Sequence, residues 1–151
     1  MASPDAIQPV LRQTLDSQRY AVLATDDQGQ PYTSLMAFSV TDDMREIVLL
    51  TDRGTRKYAN LMSNRRVAVF IDNRENTGTD TRDAVAITAL GDAEEVDGDA
   101  CISLRASYVA RHPYLAGFAA SSSCAIFRVK VRRYVVVRCF QEVMEWRIMP
   151  R

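Results

Sequence analysis

A short polar segment in the first half of the chain carries the residue types that bind a phosphate group. Residues 46–51 predict a strand, Asp52-Arg53-Gly54 a turn, and Thr55 begins a segment with helical spacing. At such a junction, free backbone N–H groups and the positive end of the helix dipole favour an anion. The side chains that add a hydroxyl or a positive charge are Arg53, Thr55, Arg56 and Lys57. The segment predicts either a phosphate cradle or, equally well, a capped helix with solvated basic residues. It lacks the glycine-lysine spacing of a Walker loop.

Other kinds of reactive centre have little support in the sequence. The cysteines, Cys101, Cys124 and Cys139, show no close ligand spacing, so we expect neither a disulfide framework nor a metal site. No Gly-x-Ser-x-Gly motif supports a serine nucleophile. The single histidine, His112, precedes Pro113 at a predicted helix end, where a structural role is favoured over a metal or haem ligand.

The elements that must position these residues are mostly strands. Apolar segments predict six strands, over residues 20–25, 32–40, 46–51, 66–71, 84–96 and 124–140. Helical spacing predicts three short helices, over about 9–17 with Pro9 in the first turn, 55–62, and 99–112 with Asp99 as the cap. Because the strands follow one another in hairpins, we expect a mainly β (α+β) fold. A small closed or half-closed antiparallel barrel with peripheral helices fits better than alternating βαβ units.

Two features of these strands bear on function. Residues 72–83 form a polar segment around Gly78 and predict a long loop, which in a compact domain is often functional. The last strand alternates apolar residues with the basic residues Arg128, Lys130 and Arg132. That basic face is expected to be solvated or ion-paired, with contact to phosphate or RNA as the alternative. Bulges are expected near Gly91 and Arg133.

Composition restricts the class of protein. The chain has 151 residues, 47% of them apolar and 25% charged, which predicts one globular domain over residues 1–151. Nineteen basic residues balance nineteen acidic ones, so we expect no nucleic-acid partner. No apolar run is long enough to span a bilayer and no secretory signal is evident, so we expect no membrane association and a cytoplasmic location.

One stretch of sequence resembles a known family. Residues 55–61, Thr-Arg-Lys-Tyr-Ala-Asn-Leu, open a predicted helix, and Val67-Ala68-Val69-Phe70-Ile71 follows as a strand. This order and the Lys-x-x-Asn-Leu placement resemble the pyridoxamine 5′-phosphate oxidase-like, FMN-binding split-barrel proteins, over nearly the whole chain. The resemblance implies a six-stranded antiparallel split β-barrel with short peripheral helices. It also implies a homodimer with an FMN site at each side of the subunit interface.

The same resemblance suggests which residues would contact FMN. Lys57, Thr55 and Arg53 would hold the phosphate, with Arg56 as a helper. The isoalloxazine ring would lie against residues 34–37 and 50–51, namely Ser34, Leu35, Met36, Ala37, Leu50 and Thr51. The partner subunit would close the site with Asn73, Arg74, Asn76 and Trp146. From the residue types alone, the loop at 72–78 could instead be a solvated Asx-turn loop, and Trp146 an anchor of the dimer interface.

The C-terminus departs from the family pattern. Genuine pyridoxamine-phosphate oxidases carry an Arg-x-His pair there, whereas this chain ends Trp146-Arg147-Ile148-Met149-Pro150-Arg151, without histidine. We therefore expect an FMN-dependent oxidoreductase that acts on an unidentified small molecule and not on vitamin B6. Three alternatives stay open: a haem-handling protein, a deazaflavin-dependent reductase, and a non-enzymatic flavin-binding module.

Overall fold

Antiparallel strands form the body of the molecule. The computed structural model describes residues 4–151. In the described chain the strands follow the order β3-β2-β1-β4-β5-β6-β7, and β3 also pairs with β6. That additional pairing closes six strands into a barrel and leaves β7 outside the closure. The predicted six-stranded antiparallel barrel with short helices is thus confirmed. The strands are β1 (Tyr20–Asp27), β2 (Gln30–Val40), β3 (Glu46–Asp52), β4 (Arg66–Asp72), β5 (Ala86–Glu95), β6 (Cys124–Arg138) and β7 (Glu142–Arg147).

Strand β6 connects the parts of the barrel. It pairs with β5 along most of its length, with β3 over residues 124–130, and with β7 over residues 133–138. The β5–β6 register shifts at Gly91, which pairs with Val131 while Leu90 pairs with Arg133. A Cβ atom at Gly91 would collide with the carbonyl group of Lys130, so the bulge needs glycine. The expected irregularities near Gly91 and Arg133 are therefore one feature, in which Arg132 is the additional residue.

An unpredicted strand follows the last predicted one. The expected strand over residues 124–140 ends at Arg138, and three residues with positive φ, Cys139, Phe140 and Gln141, turn the chain back. Strand β7 then pairs beside the second half of β6. In the structure, β7 alternates between a buried face with Met144 and an exposed face with Val143. Because Val143 is apolar although it is exposed, the sequence does not show this alternation.

The helices lie around the barrel and partly differ from prediction. They are α1 (Pro4–Ser17), α2 (Arg56–Ser63), α3 (Asp80–Asp83), α4 (Gly98–Arg111) and α5 (Ala116–Ala119), with a 3-10 turn at Pro113–Leu115. Helix α1 begins before Pro9, which lies inside it and not in its first turn as expected. The helix continues past Pro9 because its buried face, formed by Ile7, Leu11 and Leu15, packs on the barrel. Asp97, not Asp99, is the N-cap residue of α4.

Two apolar clusters account for most of the packing. The larger one fills the barrel and extends under α1, with fully buried side chains such as Phe38, Val69 and Tyr134. The smaller one lies outside the barrel, where Val48 and Leu50 of β3 pack with Tyr108 of α4. This second cluster fixes α4 and the segment after it beside the β2 and β3 strands. Within residues 4–151, no helix has the length and apolar character needed to cross a membrane.

Candidate functional site

An open cavity lies where β2, β3, α2 and the segment after α4 meet. We call it the β3–α2 cavity; its volume is about 480 Å³. It brings together residues that are distant in sequence, from Tyr20 in β1 to Phe118 in α5. Its lining consists of Tyr20, Leu35, Met36, Ala37, Leu50, Thr51, Asp52, Thr55, Lys57, Tyr108, Tyr114, Leu115 and Phe118. Seven of the fourteen residues proposed from the sequence are among them. Larger cavities exist elsewhere, including one of about 800 Å³ beside the C-terminal segment.

The junction between β3 and α2 is held by side-chain hydrogen bonds. Thr55 is the N-cap residue of α2: its Oγ1 accepts from the Tyr58 backbone N–H at 3.3 Å. The same oxygen donates to the Asp52 carbonyl at 2.9 Å and lies 2.9 Å from Thr51 Oγ1. The Asp52 carboxylate accepts from Ser123 Oγ at 2.6 Å and from the Gly54 N–H at 2.8 Å. These bonds, that from Ser123 first, lower the pKa of Asp52. The junction is therefore ordered before any ligand arrives.

The basic residues of this segment have different surroundings. Lys57 is half-buried in the cavity lining, and among residues 4–151 no carboxylate lies within 4.0 Å of its ammonium group. Arg53 lies outside the lining, because it donates to the carbonyls of Ser122 and Cys124 at 3.1 and 3.3 Å and pairs with Glu95 at 3.4 Å. Arg56 also lies outside, exposed, with its guanidinium 3.9 Å from Asp27. Of the three predicted phosphate-binding cations, the structure places Lys57 in the cavity.

The strands contribute mostly apolar residues to the cavity lining. Leu35, Met36 and Ala37 of β2 contribute to it, together with Leu50 and Thr51 of β3. The side chain of Leu35 is 73% exposed, which is unusual for leucine on a strand. Ser34, the sixth residue expected here, pairs with Leu23 of β1 and is not part of the lining.

Four aromatic residues complete the cavity, and none was predicted from the sequence. Tyr20 and Tyr114 form its rim, with their hydroxyl groups 3.0 Å apart. This hydrogen bond raises the pKa of Tyr114. Tyr108 is buried beneath them, where its hydroxyl donates to the Ala37 carbonyl at 3.4 Å and burial raises its pKa. Phe118 lies at the edge. The contact between β1 and the segment after α4 spans 94 residues, so no local pattern predicts it.

His112 has the structural role that the sequence favours. Its ring is fully buried, 5.0 Å from the ring of Tyr108 and 6.0 Å from that of Tyr114. Nε2 lies 2.7 Å from the Phe38 carbonyl, an obligate acceptor, so this nitrogen carries the proton and donates it. The other ring nitrogen, Nδ1, is buried and has no hydrogen-bond partner among the described residues, so a haem iron could reach it only if the packing around the ring opened.

The residues proposed to reach a partner's site do not line this chain's own β3–α2 cavity. Asn73 bonds with Val85 through both its backbone and side chain, the latter at 2.7 Å, and Arg74 pairs with Asp72 at 3.0 Å. Asn76 has a positive φ in the loop that leads to α3. Trp146 lies on β7, where its ring stacks on that of Tyr134 with a centroid separation of 5.9 Å. Local bonds thus order the loop, and helix α3 shortens the predicted irregular segment.

The basic face of β6 is ion-paired. Arg128 and Lys130 both contact Glu94, the latter at 3.2 Å, and Arg132 pairs with Asp92 at 2.9 Å. Burial alone would raise the pKa of Glu94, but the two basic residues outweigh it and lower the pKa. The expectation of an ion-paired face is confirmed.

Comparison with known proteins places this architecture in a family. The family model for pyridoxamine 5′-phosphate oxidase matches residues 7–138, which include all six barrel strands. No protein of curated function matches the sequence.

Several solved structures share the fold at low identity. A heme binding protein from Mycobacterium smegmatis superposes with a TM-score of 0.85 and 19% identity, covering 97% of this chain but 60% of its own. HutZ, the heme storage protein from Vibrio cholerae, superposes with a TM-score of 0.72 and 19% sequence identity, and the match covers 93% of each chain. A FAD-binding protein from Mesorhizobium loti superposes with a TM-score of 0.67 and 16% sequence identity, and the match covers 85% of this chain and 92% of its own. At these identities the structures establish the fold alone. The match over residues 7–138 identifies the chain as a member of the pyridoxamine 5′-phosphate oxidase family.

Proposed function

We propose that the protein is an FMN-binding flavoprotein and that it acts as an FMN-dependent oxidoreductase on a small molecule. The observation that carries this proposal is the β3–α2 cavity, which joins an unpaired cation, a capped helix N-terminus and an apolar wall. FMN has the matching order of parts, a phosphate at one end and a flat ring with polar edges at the other.

Lys57 would receive the phosphate. Its ammonium group lies in the cavity lining without a described carboxylate within 4.0 Å, so an anionic ligand would meet no competing ion pair there. Thr55 and Lys57, at the start of α2, both line the cavity, and the helix dipole there favours negative charge. Thr55 holds that helix end in place through its cap. Arg53 and Arg56 would assist only after leaving their present partners.

The wall formed by Leu35, Met36 and Leu50 would pack against the ring, and the backbone of β2 and β3 would supply hydrogen bonds to its edges. Bound FMN would supply the redox chemistry, and the protein would position it and set its surroundings. A dedicated acid or base is not required for hydride transfer, which depends mainly on the orientation of the reactants.

A second copy of the chain would cover the cavity. Three large side chains on its rim are exposed, Leu35 by 73%, Tyr114 by 57% and Tyr20 by 50%, so the rim is an apolar surface next to the cavity. The residues assigned to the partner's half of the site, Asn73, Arg74, Asn76 and Trp146, lie elsewhere on the chain, as a homodimeric site requires. Size measurement in solution, with Leu35→Asp compared to the parent, tests this arrangement: a parent that stays monomeric at micromolar concentration contradicts it.

The first test of function is an absorption spectrum of the purified protein, with the heat-released ligand identified by chromatography. We expect flavin bands and released FMN, or saturable quenching of added FMN if the protein is purified without it. A colourless protein that binds no added FMN would contradict the proposal. In that case binding of a deazaflavin cofactor would support the reductase alternative. FMN binding without NAD(P)H-dependent turnover across a panel of acceptors would identify a binding module instead of an oxidoreductase.

Haem binding is the second candidate, favoured by the heme binding protein and the heme storage protein among the structures that share the fold. His112 does not favour it, because the residue is fully buried and does not line the β3–α2 cavity, so a haem there would need another axial ligand. A Soret band in the spectrum would support haem binding. Retention of that band in His112→Ala would exclude His112 as the ligand.

A further inference from the structure

A second cavity lies on the outer face of the barrel, between α1 and α4. We call it the α1–α4 cavity; its volume is about 660 Å³, and none of its lining residues lines the β3–α2 cavity. Its floor is the end of β2, and its sides come from the two helices. It is therefore a separate place where a ligand could bind, and it does not depend on the function proposed above.

The floor of the α1–α4 cavity contains a hydroxyl group without a partner. Ser39 is 5% exposed and lies opposite Val48 of β3. Its Oγ atom is buried and, in the part of the chain that the structure describes, makes no hydrogen bond. A buried hydroxyl of this kind destabilises the protein unless a ligand or water binds to it.

The same cavity contains an arginine that forms no direct ion pair with the described residues. Arg111 donates through Nη2 to the carbonyls of Leu15, at 2.7 Å, and Gln18, and its Cζ lies 5.0 Å from the centre of the Phe38 ring. None of the carboxylates among residues 4–151 forms an ion pair with it. Burial lowers the pKa of Arg111, and the charge of Asp16, which lines the same cavity, partly offsets this. The guanidinium group is thus fixed by uncharged acceptors, and its remaining N–H groups are free of an anion.

The other lining residues restrict the ligand. Arg12 pairs with Asp16 at 3.6 Å at the rim, and Asp42 is exposed there, so the two arginines of the lining are matched by two aspartates. This balance suits an anion of single charge better than a phosphate dianion. The lining also has an apolar part, formed by Val40, Val48 and Leu104.

We propose that the α1–α4 cavity binds a small aliphatic carboxylate, whose oxygens accept hydrogen bonds from the Ser39 hydroxyl and the Arg111 guanidinium. The aliphatic part of the ligand packs on the apolar part of the lining. A carboxylate is planar and matches the forked donors of arginine.

The test is an NMR titration of the full chain with butyrate, with butyramide as the uncharged analogue and inorganic phosphate as the competing anion. We expect saturable amide shifts at Ser39, Ser107 and Arg111 with butyrate, and roughly tenfold weaker binding of butyramide because a charge-assisted bond is lost. Absence of saturable shifts at these amides, or equal affinity for butyramide, would overturn the proposal. Tighter binding of phosphate would overturn the carboxylate assignment. Shifts confined to Thr51, Thr55 and Lys57 would report the other cavity and would also count against the proposal.

Ser39→Ala is the decisive variant. It should weaken butyrate binding by about three- to tenfold, the effect of one hydrogen bond. It should also leave the melting temperature of the ligand-free protein equal or higher, because it removes an unsatisfied hydroxyl. The matched control is Ser122→Ala, an exposed serine outside the cavity, which should change neither property. Unchanged butyrate affinity in Ser39→Ala, or a loss of stability without ligand, would contradict the assignment. Arg111→Lys keeps the charge but removes the fork and should weaken binding further; unaltered affinity in this variant would remove Arg111 from the site.

Discussion

The chain contains two lysines, and the structure gives them opposite surroundings. Lys130 is on the outer face of β6, where its ammonium group lies 3.2 Å from Glu94 and the neighbouring Arg128 contacts the same carboxylate. Lys57 lies in the β3–α2 cavity beside two threonine hydroxyls, without a described carboxylate within reach. One cation is neutralised within the protein and the other is not. The difference shows that the partner of a basic residue, more than its presence, distinguishes a structural ion pair from a candidate anion site.

The largest effect is expected from removing the charge of each lysine in turn. Lys57→Ala should weaken FMN binding by roughly 10- to 100-fold, since a hydrogen bond to a charged group contributes about 1.5–3 kcal/mol. Lys130→Ala, the matched control, should change FMN affinity less than twofold because it lies on another face. Fluorescence titration with FMN measures both. Equal FMN affinity of the parent and Lys57→Ala would place the phosphate elsewhere.

The same comparison can be made from the side of the ligand. Riboflavin lacks the phosphate, so the parent protein should bind it roughly tenfold or more weakly than FMN, whereas Lys57→Ala should discriminate less between the two. Titration of both proteins with both ligands gives a double-mutant cycle. Strictly additive losses would mean that Lys57 and the phosphate do not interact.

A smaller effect is expected at the helix end beside Lys57. Thr55→Ala removes the cap of α2 and should lower the free energy of unfolding by about 1 kcal/mol, and Thr55→Ser should restore most of it. Urea unfolding measures the difference. If Thr55→Ala were as stable as Thr55→Ser, the hydroxyl would not be contributing to the cap.

The smallest effect concerns the ion pairs around Lys130. The pKa of Glu94 is lowered in the folded protein, so its ionisation stabilises the fold above the unfolded pKa of about 4.5. This contribution is lost as pH falls through the lower pKa of the folded state. Glu94→Gln should therefore reduce the melting temperature modestly at neutral pH and less at pH 3. If the difference in melting temperature between the two proteins were the same at every pH, the ion pairs of Glu94 would make no net contribution to stability, as for many partly exposed pairs.

The sequence predicts the elements and site residues whose structure depends on residues close to them in the chain. The six barrel strands follow from apolar alternation, and the Thr55 cap and the position of Lys57 follow from the turn before α2. The rim formed by Tyr20 and Tyr114 could not be predicted, because those residues meet only after the barrel has closed. The hydrogen bonds from Arg53 to the carbonyls of Ser122 and Cys124 depend on the same long-range packing, so they could not be predicted either.

Strand β7 and helix α3 were missed for a different reason. The outer face of β7 carries Val143, which obscures the alternation, and α3 is a single turn within a polar segment. Such short elements are stabilised by the surface they lie on, not by their own propensity. Trp146, which stacks on Tyr134, shows which surface that is for β7.

The position of β6 in the barrel has a consequence for synthesis of the chain. Both β3 and β5 pair with β6, which ends at residue 138 of 151. Until this strand has left the ribosome, the nascent chain exposes two unpaired strand edges, and open edges of this kind promote association with other chains. Closure between β3 and β6 joins residues as far apart as Glu46 and Lys130, so it should be a slow step in folding. A chain that stalls before β6 is therefore expected to be a substrate for chaperones, while the completed chain is not.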